Sequence, residues 1–385
     1  MSPKPANNYH CEVVGSLLRP EYLKDATRTF DAGEITAAQL TAVQEQASIE
    51  GIRLQEETGV ECITDGEMRR RGWTAPLTES LNGYGRAPLL SVNYHGTGAG
   101  GLREGLQAVS GTTVPEGAAP VTMGTAVIGK LSRKTNMMLT EMQFVQQHSK
   151  LPTKITFPSL AHASVLWSPG VSDQVYPDRA QAMHEILEIV AGLVQECIDA
   201  GCTYIQMDSP RYTHLVSEAT LENFRRVGLD PRTWLGDVIA EENELIDRFP
   251  NVTWALHLCR GNGARGAWAV DGGYDPIAEQ LFNDIHVDRL FLEYDSPRAG
   301  TFAPLRFVPK GKVAVLGLVS TKDRELESED LLKRRLDEAT QYLPLDQIAL
   351  SPQCGFASAF EGNVTEEMQR AKLERMSSVV RQVWK

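Results

Sequence analysis

Short runs of apolar and β-branched residues recur eight times along the chain, and a longer stretch with helical periodicity separates most of them from the next. Strands that alternate with helices predict an α/β fold with a parallel sheet, and eight such repeats predict a (β/α)8 TIM barrel. A doubly wound open sheet is the alternative. The runs span residues 12–16, 61–67, 153–159, 203–209, 253–259, 289–295, 313–320 and 348–354.

The clearest helical stretch is 178–200, where apolar residues recur at helical spacing, and a second covers 325–340. A barrel typically needs about 250 residues, so a chain of 385 residues needs an insertion. We expect one barrel over residues 1–385. Its insertion is expected after the second strand, at 83–129, a stretch rich in Gly, Pro and Thr that contains a possible hairpin strand at 121–128.

Charge and hydropathy exclude two classes of partner. The net charge is −12 and no long run of Lys and Arg occurs, so nucleic acid is not expected to bind. No stretch of about 18 apolar residues occurs, so no membrane span is expected. The first residues carry no secretory signal, and we expect a cytoplasmic protein. A homo-oligomer is also expected.

Polar residues that could take part in catalysis or metal binding lie where the predicted strands end. Parallel strands of a barrel end at one edge, where barrel enzymes place their sites. Convergence of carboxylate, imidazole and thiol groups at such an edge is hard to explain as core packing. The residues concerned are Ser16, Glu67, Asp208, His257, Cys259, Glu293 and Cys354.

Four of these residues form a candidate metal site. His257 and Cys259 are two residues apart on a strand, so both side chains point to one face. Glu293 from the next strand and Cys354 from the last complete a set that suits tetrahedral Zn²⁺. Asp295 is a rival for the carboxylate. A buried histidine beside inert cysteines is the structural alternative.

Other motifs carry weaker signals. Residues 261–266 match G-x-G-x-x-G, but glycines and a proline follow instead of a helix, which disfavours a nucleotide site. Residues 96–101 are interpreted as a flexible loop. Glu67 and Asp208 could serve as acid and base, bind a substrate ammonium group, or form salt bridges. Arg19 could hold a carboxylate or phosphate, whereas most of the run 69–71 is expected to be solvated.

Together these residues resemble the cobalamin-independent methionine synthase family, and most closely its short members with a single barrel. The related epoxyalkane:coenzyme M transferases and methylcobalamin-dependent core methionine synthases are also similar. The resemblance covers nearly the whole chain. It rests on the segments VGSLLRP (14–20), TDGE (64–67), HLCRGN (257–262), FLEYD (291–295) and LSPQCGF (350–356).

The resemblance implies zinc-dependent methyl transfer to homocysteine, which produces methionine. Its zinc ligands correspond to His257, Cys259, Glu293 and Cys354, and its homocysteine-binding residues to Ser16, Glu67 and Asp208. Arg19 is a further candidate for an acidic group of either substrate.

Two departures concern the methyl donor. The long family members have a second, N-terminal barrel that helps to bind polyglutamyl folate, and this chain has no room for it. They also have a histidine after the seventh strand, where residues 317–320 read GLVS. No aromatic shelf for a pterin is evident at 158–162. We therefore expect methylcobalamin or another donor, with a corrinoid or accessory protein as a possible partner.

Three rival functions remain at this stage. An epoxyalkane:coenzyme M-type transferase would use a thiol with a sulfonate and no ammonium group, which leaves Glu67 and Asp208 without a purpose. A decarboxylase of the related porphyrin-handling barrel needs no metal. A zinc-stabilised scaffold would have a closed site with four ligands and no position for a substrate thiol.

Overall fold

Helices and one antiparallel hairpin make up the first part of the chain in the computed structural model, which describes residues 8–90, 121–226, 228–263, 267–358 and 360–384. The expected insertion at 83–129 overlaps this hairpin, although 91–120, including the glycine-rich stretch 96–101, lie outside the described residues. The same holds for residues 264–266 of the G-x-G-x-x-G match. The elements are α1 (Glu21–Asp31), α2 (Ala37–Thr58), α3 (Ala75–Thr78), β1 (Leu81–Leu90) and β2 (Val121–Arg133).

Six parallel strands form the central sheet, in the order β3-β4-β5-β6-β7-β8. Each lies within one of the last six predicted runs, and every position in them is buried. Burial on both faces explains why these runs are continuously apolar and do not alternate. The strands are β3 (Ile155–Pro158), β4 (Tyr204–Asp208), β5 (Thr253–Leu258), β6 (Arg289–Glu293), β7 (Val313–Val319) and β8 (Ile348–Pro352).

The first two predicted runs form single parallel bridges instead of strands. Residue 11 pairs with residue 350 of β8, residue 12 with residue 62, and residue 63 with residue 153 just before β3. Both runs turn away soon after their bridges, and the second does so through positive φ angles of 74° at Gly66 and 60° at Glu67. Among the described residues, the central sheet therefore has six strands and not the expected eight.

Helices connect the strands, and capping side chains precede several of them. Asp178 accepts a hydrogen bond from Ala180 N at the start of the helix predicted at 178–200. Ser328 caps the helix predicted at 325–340, which therefore begins at Glu329. These helices are α4 (Met137–His148), α5 (Leu160–Ala163), α6 (Arg179–Asp199), α7 (Glu218–Arg226), α8 (Pro231–Asp247), α9 (Asp275–Asp284), α10 (Glu329–Ala339) and α11 (Glu366–Val383). Short 3-10 helices span Ser172–Gln174, Tyr212–Val216, Pro297–Ala299, Ala303–Phe307 and Leu345–Gln347.

A buried charge network lies at the amino-terminal end of the central sheet, where its strands begin. Glu12 pairs with Arg289 and, at 3.3 Å, with the ammonium group of Lys154, and all three side chains are fully buried. Removing one partner of such a network leaves a buried charge unpaired, which costs about 3–5 kcal/mol. The network anchors the first run against β3 and β6. In the part of the chain that the structure describes, no helix is long and apolar enough to cross a membrane.

Candidate metal centre and substrate cavity

Four potential metal ligands meet at the carboxyl end of the central sheet. His257 lies in β5, and Cys259 directly follows that strand. Glu293 ends β6, and Cys354 follows β8. The ligand atoms of the four all lie within 4.8 Å of one another. The two Sγ atoms are 3.5 Å apart, and His257 Nε2 lies 3.4 Å from Cys354 Sγ. The structure thus brings together the four residues that sequence reasoning selected.

The two thiols and the imidazole of this cluster influence each other's protonation. A hydrogen bond with Cys354, helped by His257, lowers the pKa of the Cys259 thiol to about 5. The same hydrogen bond raises the pKa of Cys354, because the second thiol must ionise beside a thiolate. Burial alone would lower the pKa of His257, but the nearby thiolate and carboxylates outweigh it and raise that pKa. One thiolate therefore forms readily in the cluster.

Glu293 is the carboxylate of the cluster, and Asp295 is not part of it. Burial alone would raise the pKa of Glu293, but the charges of Lys322 and neighbouring arginines outweigh it and lower that pKa. The Nζ atom of Lys322 lies 3.5 Å from Glu293 Oε2, and Arg260 N donates to Oε1 at 2.7 Å. Asp295 instead accepts a hydrogen bond from Ser320 Oγ at 2.9 Å. Glu293 is thus held ionised and oriented.

A cavity of about 250 Å³ opens beside the four ligands. Three of its lining residues are Ser16, Glu67 and Asp208, which the resemblance assigned to homocysteine binding. Ser16 Oγ accepts a hydrogen bond from Ala357 N at 3.3 Å, which ties the first run to the segment after Cys354. A ligand in this cavity would therefore contact both the cluster and two buried carboxylates.

Glu67 is placed by a strained backbone and a buried ion pair. Among the described residues it is the single non-glycine residue with positive φ, and such strain is commonly held at functional sites. Its Oε1 atom accepts a hydrogen bond from Thr156 Oγ1 at 3.2 Å and lies 3.3 Å from Arg70 Nη1. Its Oε2 atom is buried and has no partner among the described residues. One carboxylate oxygen thus remains to receive a ligand.

Asp208 offers a second carboxyl group in the cavity. It ends β4, beside His257 in the neighbouring strand, and its Oδ1 atom accepts a hydrogen bond from Gln206 Nε2 at 2.7 Å. Burial raises the pKa of Asp208 to about 7, although the charge of His257 opposes this. A cationic group of a ligand would favour its ionised form.

The arginines selected from the sequence act mainly within the protein. Arg19 does not line the cavity; its guanidinium donates to the carbonyl oxygens of Ala357, Glu67 and Arg70 at 2.8–3.1 Å. Arg70 was expected at the surface with its neighbours, but it is only 3% exposed and its guanidinium donates to both carboxylate oxygens of Glu141. The run 69–71 was predicted to be mostly solvated because the local sequence does not show that Arg70 pairs with buried carboxylates.

The remaining cysteines lie away from the cluster. All four are buried and free, and burial raises the pKa of each thiol, to about 12 for Cys11 and Cys197 and about 11 for Cys202. In Cys62 burial raises the pKa as well. These thiols are therefore inert fillers of the core.

Comparisons with known proteins cover almost the whole chain. No protein-family model matches it. The Bacillus subtilis protein YxjH, whose function is uncharacterized, is 34% identical over 98% of this chain and 95% of its own length. The methionine synthase of Pyrococcus abyssi is 23% identical over 89% of this chain and 85% of its own length. A solved structure from Listeria monocytogenes, assigned as a vitamin-B12 independent methionine synthase, is 27% identical, with a TM-score of 0.71 and 98% coverage of both chains.

The chain belongs to the cobalamin-independent methionine synthase family. In this member of the family, the cavity has a second wall that sequence reasoning did not select. We call it the donor wall and define it by Trp73, His162 and Arg211. The ring centroids of Trp73 and His162 are 4.4 Å apart, and Arg211 Nε donates to His162 Nδ1 at 3.3 Å.

The donor wall was missed because its residues lie several positions beyond the predicted strand ends, His162 in the short helix α5 and Trp73 and Arg211 in turns. His162 comes four residues after β3, in the stretch where no aromatic shelf was evident, and Arg211 comes three residues after β4. Searching a few residues beyond each strand end would have selected both. Trp73 lies beyond the turn after the second run, and the sequence carries no sign of its position.

Proposed function

We propose that this protein is a zinc-dependent methyltransferase that transfers a methyl group to the thiol of homocysteine to form methionine. One observation carries the proposal: His257, Cys259, Glu293 and Cys354 converge within 4.8 Å of one another beside a cavity that also holds two buried carboxyl groups. The methionine synthase of Pyrococcus abyssi supports the same reaction by its similarity.

The donor set of the cluster fits zinc. Zinc–sulfur bonds of about 2.3 Å in a tetrahedral site place two thiolate sulfurs roughly 3.8 Å apart. The two Sγ atoms are 3.5 Å apart, so small side-chain adjustments would accommodate the ion. Two thiolates, one imidazole and one carboxylate are also ligands that zinc accepts. Zinc held by these four residues would lower the pKa of a substrate thiol and keep it ionised near neutral pH.

The side chains of the cavity would orient homocysteine for reaction. The free oxygen of Glu67 and the carboxyl group of Asp208 would receive the substrate ammonium group, and the approach of that cation would favour ionisation of Asp208. Ser16 would lie against the amino-acid end. With the amino acid held at this end, the substrate sulfur forms a bond to the donor's methyl carbon, while the bond between that carbon and the leaving group breaks with its electron pair.

The methyl donor is proposed to be methylcobalamin or another compound, and not a polyglutamyl folate. The segment after β7 offers Ser320 and Thr321 but no histidine that could protonate a folate nitrogen. A leaving group that departs without a proton needs no such acid. A corrinoid or accessory protein is a possible partner, and a cytoplasmic homo-oligomer is the expected state.

A single (β/α)8 barrel over residues 1–385 is the proposed architecture, with residues 83–129 as an insertion after its second strand. The bridges from residue 350 to 11, from 12 to 62 and from 63 to 153 support this proposal. They link β8 to β3 through the first two runs, so that those runs would stand in the positions of the first and second barrel strands.

The proposal is tested by incubating zinc-loaded protein with methylcobalamin and either homocysteine or 2-mercaptoethanesulfonate. We expect methionine by mass spectrometry, loss of activity with a zinc chelator, and recovery when zinc is restored. Glu67→Gln and Asp208→Asn should each lower kcat/KM for homocysteine, whereas Asp295→Asn serves as a control outside the cavity. Preference for 2-mercaptoethanesulfonate would instead support the epoxyalkane:coenzyme M type of transferase.

A further inference from the structure

The donor wall holds a buried ring nitrogen that no described residue uses as a hydrogen-bond partner. His162 is 4% exposed and lines the cavity, and its Nε2 atom has no partner among the described residues. Buried polar atoms without a partner are rare in folded proteins, so each requires an explanation. The homocysteine site proposed above does not use this atom.

We propose that His162 Nε2–H donates a hydrogen bond to the methyl-donor substrate, and that this substrate carries a carbonyl oxygen or ring nitrogen close to its reactive methyl group. The inference rests on the proposed function and deepens it, because it names the chemistry by which the second substrate is recognised. His162 is thereby a specificity-determining residue.

The hydrogen-bond pattern fixes which nitrogen carries the proton. Because Arg211 Nε donates to Nδ1, that nitrogen must offer its lone pair. A neutral imidazole then carries its hydrogen on Nε2. Burial, together with the charges of Arg211 and His214, lowers the pKa of His162 well below its ordinary value, which keeps the ring neutral. The Nε2 atom of His162 is therefore an N–H donor and not an acceptor.

The charge of the donor wall disfavours the ammonium group of the amino-acid thiol. The wall contributes one guanidinium group and one imidazole N–H but no carboxylate, so it favours acceptors and anions over an ammonium group. Glu67 and Asp208 carry the opposite preference. The substrate ammonium group therefore suits the end of the cavity with Glu67 and Asp208, and a hydrogen-bond acceptor suits the donor wall.

The wall also lies within reach of the reacting atoms. Trp73 N donates to the carbonyl oxygen of Ser358 at 3.3 Å, and Ser358 Oγ lies 3.4 Å from Cys354 Sγ. The backbone of Trp73 is therefore linked through Ser358 to the cluster that would hold the thiol. A reduced pterin and the amide-bearing edge of a corrinoid both carry a carbonyl oxygen or ring nitrogen that could accept this hydrogen bond, and the experiment separates them.

The test measures methyl transfer to homocysteine by the zinc-loaded protein with three donors: methylcobalamin, 5-methyltetrahydrofolate and methyl iodide, which has no oxygen or nitrogen acceptor. His162→Phe should lower kcat/KM about tenfold or more with whichever acceptor-bearing donor the protein uses. The rate with methyl iodide above background, the zinc content and the affinity for homocysteine should stay within twofold. His162→Gln keeps an N–H near the position of Nε2 and should restore much of the activity. His148→Phe, at an exposed position, is the matched control.

The remaining outcomes contradict the inference. An equal loss with methyl iodide would assign His162 a structural role, and no loss with any donor would remove it from the site. Wild-type protein that accepts methyl iodide but neither larger donor would show that the wall recognises no acceptor-bearing donor. Failure of all three donors would overturn the proposed function itself, and this inference with it.

Discussion

Replacing Gly15 by alanine should displace Glu67 without touching the metal ligands. A Cβ atom at residue 15 would lie 2.6 Å from Glu67 Oε1, whereas ordinary contacts begin at 3.4 Å. The carboxylate must therefore move by about 0.8 Å, the difference between these distances. It has little freedom to do so, because Arg70 and Thr156 hold the same oxygen. Gly15 has no positive φ, so alanine fits its backbone.

The expected result is weaker binding of homocysteine with unchanged zinc content. A hydrogen bond between charged groups contributes about 1.5–3 kcal/mol. Its loss corresponds to an increase in Kd of about tenfold to 150-fold. Calorimetric titration of zinc-loaded wild-type and Gly15→Ala proteins measures this directly. 4-Mercaptobutanoate, which is homocysteine without its amino group, should bind both proteins equally.

A matched control is available in α6. A Cβ atom at Gly192 meets no atom within 4 Å, and alanine is favoured over glycine in a helix by about 1 kcal/mol. Gly192→Ala should therefore leave the affinity for homocysteine unchanged and raise stability slightly. The reasoning fails if Gly15→Ala binds homocysteine as the wild type does, or if it loses affinity for both thiols alike.

Three further predictions concern the metal site and the buried charges. Cys354→Ser should lose zinc and activity but keep its circular dichroism spectrum; retention of full metal would show that Cys354 is not a ligand. Burial raises the pKa of Glu242 from its ordinary 4.5 to about 7, so the folded state holds this proton more tightly and loses about 3 kcal/mol of stability as pH rises from 4.5 to 7. We expect urea unfolding to show a fall in the free energy of unfolding between pH 5 and pH 8 for the wild type that Glu242→Gln lacks. An equal fall in the two proteins would contradict this. Arg70→Met leaves Glu141 buried and unpaired and should lower the free energy of unfolding by about 3–5 kcal/mol, against about 0–1 kcal/mol for the exposed Arg71→Met; equal losses would refute the distinction.

The central strands were predictable because burial on both faces leaves a strong pattern. The run 313–320, for example, contains β7 at Val313–Val319, where every residue is buried. The first two runs were expected to be strands as well, yet the structure has only isolated bridges there. Pairing partners far along the chain decide whether a short run becomes a strand, and a local pattern does not contain them.

The site was predictable where its residues end strands, and less so elsewhere. His257 and Glu293 occupy positions that strand direction alone brings to one edge. Arg19 was predicted to bind an acidic group, but its guanidinium binds carbonyl oxygens of two segments far apart in the chain, which no spacing reveals. His162 and Trp73 come from segments far apart in the chain, and only the fold brings their rings to 4.4 Å from each other.

Zinc-edge X-ray absorption of the purified protein, with elemental analysis and with or without homocysteine, tests the central claim most directly. We expect about one zinc per chain with two sulfur ligands, and three after homocysteine is added. No zinc, or a sulfur count that homocysteine leaves unchanged, would contradict a thiol-activating site and return Cys259 and Cys354 to structural roles.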